Sequence, residues 1–269
     1  GGVVIAFKDY NIMDGILGSP WADPWYKHFS YFFNSPYAEQ VIGNTVIISL
    51  MKLVAGMIPP IILAIMISEC KSRGFAKIVQ TATYLPHFLS WVIVYGILIA
   101  FFSQSTGLIN RWIRELGGTP YPFLTSPDHF RAVLVWSEVW KTTGWAAIIY
   151  IAAISGIDST LYEAATIDGC NRMKRIWHIT LPCLRSVIIL QLILKVGNIL
   201  DAGFDQIYIM MNAQVASVAE IIDTWVFTEG LTRMNYSLAA AVGLLKSILG
   251  CILVFSTNRL ARKWDEGLW

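Results

Sequence analysis

The sequence predicts an all-α protein that crosses a membrane several times, and its composition and hydropathy pattern support that prediction. Of the 269 residues, 55% are hydrophobic and only 14% are charged. The mean hydropathy is +0.56. These values are too apolar for a water-soluble domain of this size. The apolar residues also gather in runs of about 20 or more, which is the length that a helix needs to cross the hydrocarbon core.

Five apolar runs are predicted to be transmembrane helices, and they cover 44–68, 78–102, 132–154, 184–209 and 238–257. Pro59-Pro60 in the first run and Tyr84-Leu85-Pro86 in the second predict kinks. The opening residues, GGVVIAF, have the composition of the end of a further apolar segment.

The segments between the runs differ in character. An aromatic stretch over 8–42 is typical of a membrane interface, where a ring has one wet and one apolar side. A short amphipathic helix is predicted over 108–116, and 212–236 is predicted to be a loop.

The distribution of basic residues predicts the orientation. The segments 69–77, 155–185 and 258–269 hold ten Lys and Arg, whereas 1–42, 103–131 and 210–237 hold six. Because short basic loops stay in the cytoplasm, the first set is predicted to face inward. The C-terminus is then cytoplasmic, and the aromatic stretch faces outward.

A polar island from Thr160 to Pro182, TLYEAATIDGCNRMKRIWHITLP, separates the third and fourth runs. Thr160 and Glu163 have the spacing of a capping box, which predicts that a helix starts there. Asp168-Gly169 predicts the turn that ends it. A second helix is predicted over 171–180, with Pro182 closing it. The island is therefore predicted to form a helical elbow.

The residues of this elbow carry a resemblance to a known family. Glu163-Ala164-Ala165, Asp168-Gly169 and the Leu181-Pro182 ending stand at the spacing of the EAA loop in the permease subunits of binding-protein-dependent ABC importers. Cys170 and Ile176 depart from the usual small and aromatic residues but keep size or hydrophobicity. Four further short motifs resemble the permeases of oligosaccharide and polysaccharide importers, alginate importers among them: GNT at 43–45, YLPHFLSW at 84–91, GLIN at 107–110 and NYS at 235–237.

This resemblance implies a fold and a set of partners. The fold is the type I importer permease bundle, a single transmembrane domain over 1–269 with six core helices, of which the first would lie mostly before residue 1. The segment 160–182 would be the cytoplasmic coupling loop, which docks on an ATPase subunit through Glu163, Ala164, Ala165, Asp168, Gly169 and Pro182. The partners implied are a second, related permease chain, two ATP-binding subunits, an extracytoplasmic substrate-binding protein, an oligosaccharide and the lipid of a bacterial inner membrane.

Charged residues inside the predicted spans point to a polar pathway. An ionisable group in the hydrocarbon core costs at least about 2.5 kcal/mol, so such groups face the protein interior, a partner or water. Lys195, Asn198 and Asp201 recur every three residues and predict a polar stripe on the fourth span. With Lys141 they are the predicted substrate pathway. The alternative is that the stripe forms polar contacts between two permease subunits.

The other intramembrane charges have simpler interpretations. Glu138 and Lys141 are spaced to pair on one helix, and Lys52 can extend its ammonium to the interface. The surplus of lysines over carboxylates in the spans favours an acidic substrate, such as an alginate or another uronate oligosaccharide.

The sequence also excludes several functions. No GxxxxGK[ST] pattern is present, so ATP and its Mg²⁺ are expected on partner subunits and not on this chain, which is expected to be non-catalytic and to bind no cofactor. The scattered cysteines and histidines predict no metal site. The net charge of +2 argues against nucleic-acid binding. An ion-coupled secondary transporter, with Glu138, Asp201 and Asp205 as ion carriers, is the alternative function.

Overall fold

The computed structural model describes residues 2–262, with the side chains of 260–262 excepted, and its regular elements are helices. The first eight are α1 (Gly2–Ile5), α2 (Gly15–Gly18), α3 (Lys27–Phe33), α4 (Pro36–Ser68), α5 (Arg73–Tyr84), α6 (Trp91–Phe102), α7 (Leu108–Glu115) and α8 (Pro127–Ser155). The others are α9 (Ser159–Ile167), α10 (Arg172–Arg175), α11 (Leu181–Cys183), α12 (Arg185–Gly197), α13 (Phe204–Met210), α14 (Ala216–Ala219), α15 (Ile222–Phe227) and α16 (Tyr236–Arg262). Leu85–Phe88 form a 3₁₀ turn, and Ile176–Thr180 and Thr228–Thr232 form π-helical turns. The all-α prediction is confirmed.

The described residues contain up to five membrane spans. Two helices are long and apolar enough by themselves, namely α4 and the part of α16 over Tyr236–Arg259. Three more candidates qualify only as pairs of helices that meet at a bend. Five spans were predicted, and the number agrees when each bent pair is taken as one span.

The first span is longer than predicted. Helix α4 begins at Pro36, eight residues before the predicted start at 44, because proline is well suited to the first position of a helix, where its missing N–H has no partner to lose. Pro59 and Pro60 stay inside the helix, which continues to Ser68 without a break in its assignment. The second span does break as predicted, since α5 leads into the 3₁₀ turn and α6 starts again at Trp91.

By internal contacts the chain divides into two compact units, which are described separately. Unit 1 is formed by the residues up to Met51, by Ser90–Val135 and by Asn198–Leu253. Unit 2 is formed by Lys52–Leu89, by Trp136–Gly197 and by the residues after Leu253. One transmembrane domain over 1–269 stays a prediction.

Unit 1 has two apolar clusters. One surrounds Phe130, Leu134 and Ile207, and the other surrounds Phe32 and Trp225. Unit 2 has a smaller cluster around Ala64, Ala147 and Tyr150. In the same unit Gly144 packs so closely on Thr83 that a Cβ at position 144 would lie 2.0 Å from the Thr83 carbonyl oxygen.

The segment 212–236, predicted to be a loop, contains α14, α15 and a π-helical turn. A polar network in unit 1 holds its start. The Asn44 amide donates to the carbonyl oxygens of Ser217 (3.1 Å) and Glu220 (3.0 Å), and its own oxygen accepts from Arg131 (2.7 Å). Burial raises the pKa of the Glu220 carboxyl. Short helices that depend on such distant contacts carry little periodic signal in the sequence.

Candidate functional site

The elbow begins with a cap that differs from the predicted one. Helix α9 starts at Ser159, and its N-cap is Asp158, whose carboxylate accepts from the backbone N–H of Thr160 at 2.9 Å. Hydrogen bonds from Thr160 hold the pKa of the Asp158 carboxyl below its usual range. The predicted capping box between Thr160 and Glu163 is therefore wrong, because an acidic cap one position before the helix takes that place. Glu163 is exposed instead.

The turn at Asp168-Gly169 is confirmed. Gly169 has φ of +72°, a left-handed conformation that glycine adopts at low cost. The N–H of Gly169 donates to the Thr166 carbonyl at 3.1 Å, and the N–H of Cys170 donates to the Ala165 carbonyl at 2.9 Å, which is the Schellman pattern of a helix C-terminus. The chain can therefore turn sharply into the second half of the elbow.

The second half continues past its predicted end. Asn171 caps α10 by accepting from the N–H of Lys174 at 2.9 Å. Helical structure then runs through the π-helical turn and α11 to Cys183, and α12 follows with a bend of 56°. Pro182 therefore does not close the helix. It lies at the start of a new helical turn, where proline is tolerated.

Polar contacts within unit 2 hold the elbow in shape. The Arg172 guanidinium donates to the Glu69 carboxylate at 2.7 Å and to the Glu69 carbonyl at 2.8 Å, just beyond the end of α4. The Tyr162 hydroxyl and the Thr180 hydroxyl are 2.9 Å apart, which joins the two halves of the elbow. These contacts join positions that are far apart in the sequence, and no local pattern predicted them.

The surface of the elbow is open. Glu163, Ala164, Asp168 and Gly169 are exposed and Ala165 is half-buried, so all five predicted coupling residues on the first half are accessible. Large apolar side chains are exposed beside them: Leu161, Ile167, Met173 and Trp177. A polar loop with exposed apolar side chains is typical of a docking surface.

Unit 2 also gathers three of the four intramembrane lysines. Lys52 forms an ion pair with Glu138 at 2.5 Å, whereas the sequence predicted Lys141 as the partner of Glu138 and a snorkelling Lys52. Lys141 follows Glu138 by three residues on α8, and Lys195 binds the carbonyl of Gly56, one helical turn after Lys52 on α4. The fourth lysine, Lys246, pairs with Asp223 in unit 1 at 2.6 Å.

Two of these lysines bind backbone carbonyls that helix irregularities leave available. In α4 the carbonyl of Gly56 would accept from the N–H of residue 60, but Pro60 has none. The Lys195 ammonium donates to this carbonyl at 2.9 Å. Lys141 likewise donates at 2.6 Å to the carbonyl of His87, in the 3₁₀ turn between α5 and α6. Pro60 indicates from the sequence that the Gly56 carbonyl lacks its helical donor, but the contact with Lys195 was not predicted.

The predicted stripe on the fourth span does not form. Helix α12 ends at Gly197, and the chain has no helical structure again until Phe204. Asn198 and Asp201 lie in this break and are exposed, so they do not continue the helical face of Lys195. Gly203, with φ of +91°, introduces a turn that the apolar composition concealed. Within residues 2–262, no group of three or more His, Cys, Asp or Glu side chains could hold a metal ion.

Comparison with known proteins decides the family. Residues 56–266 match the family model described as "Binding-protein-dependent transport system inner membrane component". The chain belongs to this family. It is therefore a multi-pass inner-membrane permease, the non-catalytic transmembrane component of a binding-protein-dependent transporter. This result leaves no place for the alternative of an ion-coupled secondary transporter.

Two relatives of the permease come from Bacillus subtilis (strain 168). Protein LplB is 43% identical over 269 residues, which is 100% of this chain and 84% of LplB. The polygalacturonan/rhamnogalacturonan transport system permease protein YteP is also 43% identical, over 100% of this chain and 83% of its own length.

Two solved structures have the same fold as the permease. A bacterial ABC transporter involved in the import of the acidic polysaccharide alginate matches with a TM-score of 0.90 and 36% identity, over 97% of this chain and 87% of its own. A bacterial alginate ABC transporter in complex with an alginate pentasaccharide-bound periplasmic protein matches with a TM-score of 0.87 and 37% identity, over 90% and 84% of the two chains. These matches confirm the predicted resemblance, and the chain is the permease of an ABC importer for sugars or polysaccharides.

Proposed function

We propose that this permease carries acidic oligosaccharides of the uronate class. The observation that supports this substrate class is the arrangement of three lysines in unit 2, where Lys52 pairs with Glu138, Lys141 follows Glu138 on α8, and Lys195 binds α4 one turn after Lys52. This arrangement places three basic side chains with one carboxylate, and the surplus of basic groups favours an anionic solute over a neutral one.

The comparisons support the same class. The relative YteP is named for polygalacturonan and rhamnogalacturonan, and both structural matches are transporters of alginate. These substrates are uronate-containing polysaccharides. A permease for them must pass both carboxylates and hydroxyl groups, which require hydrogen-bonding partners in place of water.

The proposed pathway consists of Lys141, Lys195, Asn198 and Asp201. Lys141 donates to the carbonyl of His87 and Lys195 to that of Gly56. Because an ammonium has three N–H donors, Lys195 can bind this carbonyl and a substrate carboxylate together. Asn198 and Asp201 offer exposed amide and carboxylate groups for sugar hydroxyls at the break after α12. The alternative is that these side chains only satisfy backbone groups or join two permease subunits.

The proposed energy input is through the elbow. Glu163, Ala164, Ala165, Asp168 and Gly169 present the exposed side of α9 and its turn, and the exposed apolar residues beside them give a partner surface to bury. We place this surface in the cytoplasm, with the C-terminus, against one of two ATPase subunits that hold ATP and Mg²⁺. Pro182 positions the exit of the elbow toward α12.

The assembly proposed around this chain has a second, related permease subunit and a substrate-binding protein on the extracytoplasmic side. Conformational change then exposes the pathway to each side of the membrane in turn. In this scheme the contacts between the elbow and the end of α4, such as Arg172 with Glu69, transmit ATPase motion to α4.

The experiment that tests the substrate class is uptake by the complete complex in proteoliposomes. The wild-type complex is supplied with its binding protein and with either trigalacturonate or the neutral maltotriose. We expect ATP-dependent uptake of the acidic sugar, and a decrease of about tenfold in Lys195→Gln, which corresponds to about 1.4 kcal/mol of lost binding.

The matched control is Lys246→Gln, because Lys246 pairs with Asp223 in unit 1. It removes an equal charge outside the proposed pathway. Equal uptake of the neutral sugar, or an equal decrease in the two lysine variants, would contradict the proposal. Glu163→Ala tests the elbow separately, since intact stimulation of ATP hydrolysis by loaded binding protein would remove Glu163 from the coupling role.

A further inference from the structure

A groove in unit 1 lies outside the pathway and the elbow. Its walls come from the segment 24–37, which includes α3 and the start of α4, and from the segment 225–238, which leads into α16. Asp9, which pairs with Lys27, and Tyr10 complete the lining. Two cavities of about 620 Å³ and about 320 Å³ adjoin in it and share Tyr31 and Asn235. The groove therefore has the volume of a small-molecule binding site.

Exposed tyrosines line one wall. Tyr26, Tyr31 and Tyr37 are 48%, 67% and 52% exposed, which is high for side chains with an aromatic ring. Trp225 forms the floor of the groove. It is buried and packs on Phe32 with ring centroids 5.1 Å apart. Tyrosine is amphipathic and stiff, so it offers a flat apolar face and a hydroxyl at small entropic cost.

Polar groups converge on the opposite wall. Glu229 is buried, and its carboxylate accepts from Arg233 and, at 2.8 Å, from the Asn235 amide. Met234 between them has φ of +59°, a conformation that bulky residues avoid. This strained turn allows Arg233 and Asn235 to reach the same carboxylate, which indicates that the arrangement is specific.

This chemistry distinguishes the groove from a lipid-facing belt. The sequence predicted an aromatic stretch at the membrane interface, but here the rings face a cavity that also contains a buried carboxylate, a guanidinium and amides. Hydrocarbon gives such groups no partners. The Arg233 side chain is 60% exposed, and a guanidinium has five N–H donors, so it can bind Glu229 and a ligand carboxylate together.

We infer that this groove is a binding subsite for sugar units of the transported oligosaccharide. Flat rings match the apolar faces of pyranose units, Asn34 and Asn235 match hydroxyl groups, and Arg233 matches a uronate carboxylate. Both walls belong to segments that the charge distribution places on the outer side, at the starts of α4 and α16. The inference rests on the proposed function for this orientation and for the substrate class.

The test measures binding of hexagalacturonate and maltohexaose to the complete complex in nanodiscs, without binding protein, by saturation-transfer NMR and titration. We expect Tyr31→Ala to weaken hexagalacturonate binding about fivefold, which corresponds to about 1 kcal/mol for one ring. Tyr31→Phe keeps the ring and is expected to restore most of the affinity. Phe33→Ala is the matched control, because Phe33 lies exposed on the same helix outside the groove.

The outcomes separate the two proposals. A loss of binding in Tyr31→Ala with preference for the acidic sugar supports both. The same loss with preference for maltohexaose keeps the groove and overturns the acidic substrate class. Equal affinity of wild type and Tyr31→Ala, or an equal loss in Phe33→Ala, overturns the groove, as does an absence of saturable binding to the wild-type complex. Copurification of the ATPase subunits with each variant shows that the chain has folded.

Discussion

The contact between Lys195 and the Gly56 carbonyl leads to a prediction about Pro60. Pro60 has no N–H, so the Gly56 carbonyl has no intrahelical donor and takes one from Lys195 at 2.9 Å. Lys195→Met keeps the length of the side chain and removes the donor. Pro60→Ala supplies an N–H at the position from which α4 would normally donate. The cost of Lys195→Met should therefore depend on residue 60.

The magnitude of the effect depends on whether the Gly56 carbonyl keeps a hydrogen-bond donor. A buried acceptor that loses its partner costs about 1–3 kcal/mol. With proline at 60 we expect Lys195→Met to incur this cost, and with alanine at 60 we expect the helix to satisfy Gly56 instead. Loss of the Lys195 ammonium also removes its cost of burial. This contribution to the free energy of unfolding is the same with proline or alanine at residue 60, so it cancels in the comparison. The expected coupling between the two substitutions is thus about 2 kcal/mol.

Thermal unfolding of the purified complex measures this coupling. The wild type, the two single variants and the double variant are compared in the same nanodiscs. A difference of about 2 kcal/mol corresponds to about 4–8 °C in Tm for a chain of this size. If Lys195→Met lowers Tm equally in both backgrounds, corresponding to a coupling below about 0.5 kcal/mol, the Pro60 explanation is wrong.

Three further predictions concern other contacts of the described chain. Glu138→Gln should destabilise the complex by about 1–2 kcal/mol, because it removes the carboxylate from the ion pair with Lys52; a Tm equal to wild type would contradict this. Gly144→Ala should prevent assembly of the complex, since its Cβ would lie 2.0 Å from a backbone oxygen, whereas Gly243→Ala has open space around its Cβ and should assemble normally, as size-exclusion chromatography would show. The pKa of Asp158 is lowered in the folded chain, so its cap stabilises α9 above the unfolded pKa, and this stabilisation is lost as the pH falls through the folded pKa. Asp158→Asn should therefore flatten the pH dependence of amide exchange in α9. An unchanged pH profile would refute this prediction.

The sequence was most informative where the pattern is local. Hydropathy located the segments that can span the membrane, and Asp168-Gly169 predicted a turn that the structure contains. The EAA spacing indicated the family before any geometry was known. Hydrophobic runs and short motifs of this kind depend on neighbouring residues, so one sequence is enough to recognise them.

The sequence was least informative where a contact joins distant positions. The ion pair of Lys52 with Glu138 connects two helices, and no spacing rule relates them. The break after Gly197 lies inside an apolar run, where composition resembles that of a continuous helix. The capping box failed because two acceptable caps, Asp158 and Thr160, stand two residues apart and only the folded chain selects between them.

The break between α12 and α13 has a consequence for how the span exchanges hydrogen with solvent. It divides an apolar run that would otherwise form one continuous helix, and each helix end leaves backbone N–H or C=O groups without intrahelical partners. Lipid cannot satisfy these groups, so they must meet protein or water. Amide hydrogens of 198–203 that meet water will exchange for deuterium much faster than those of α12. Deuterium uptake at these amides then shows where water reaches the backbone, halfway along a hydrophobic run.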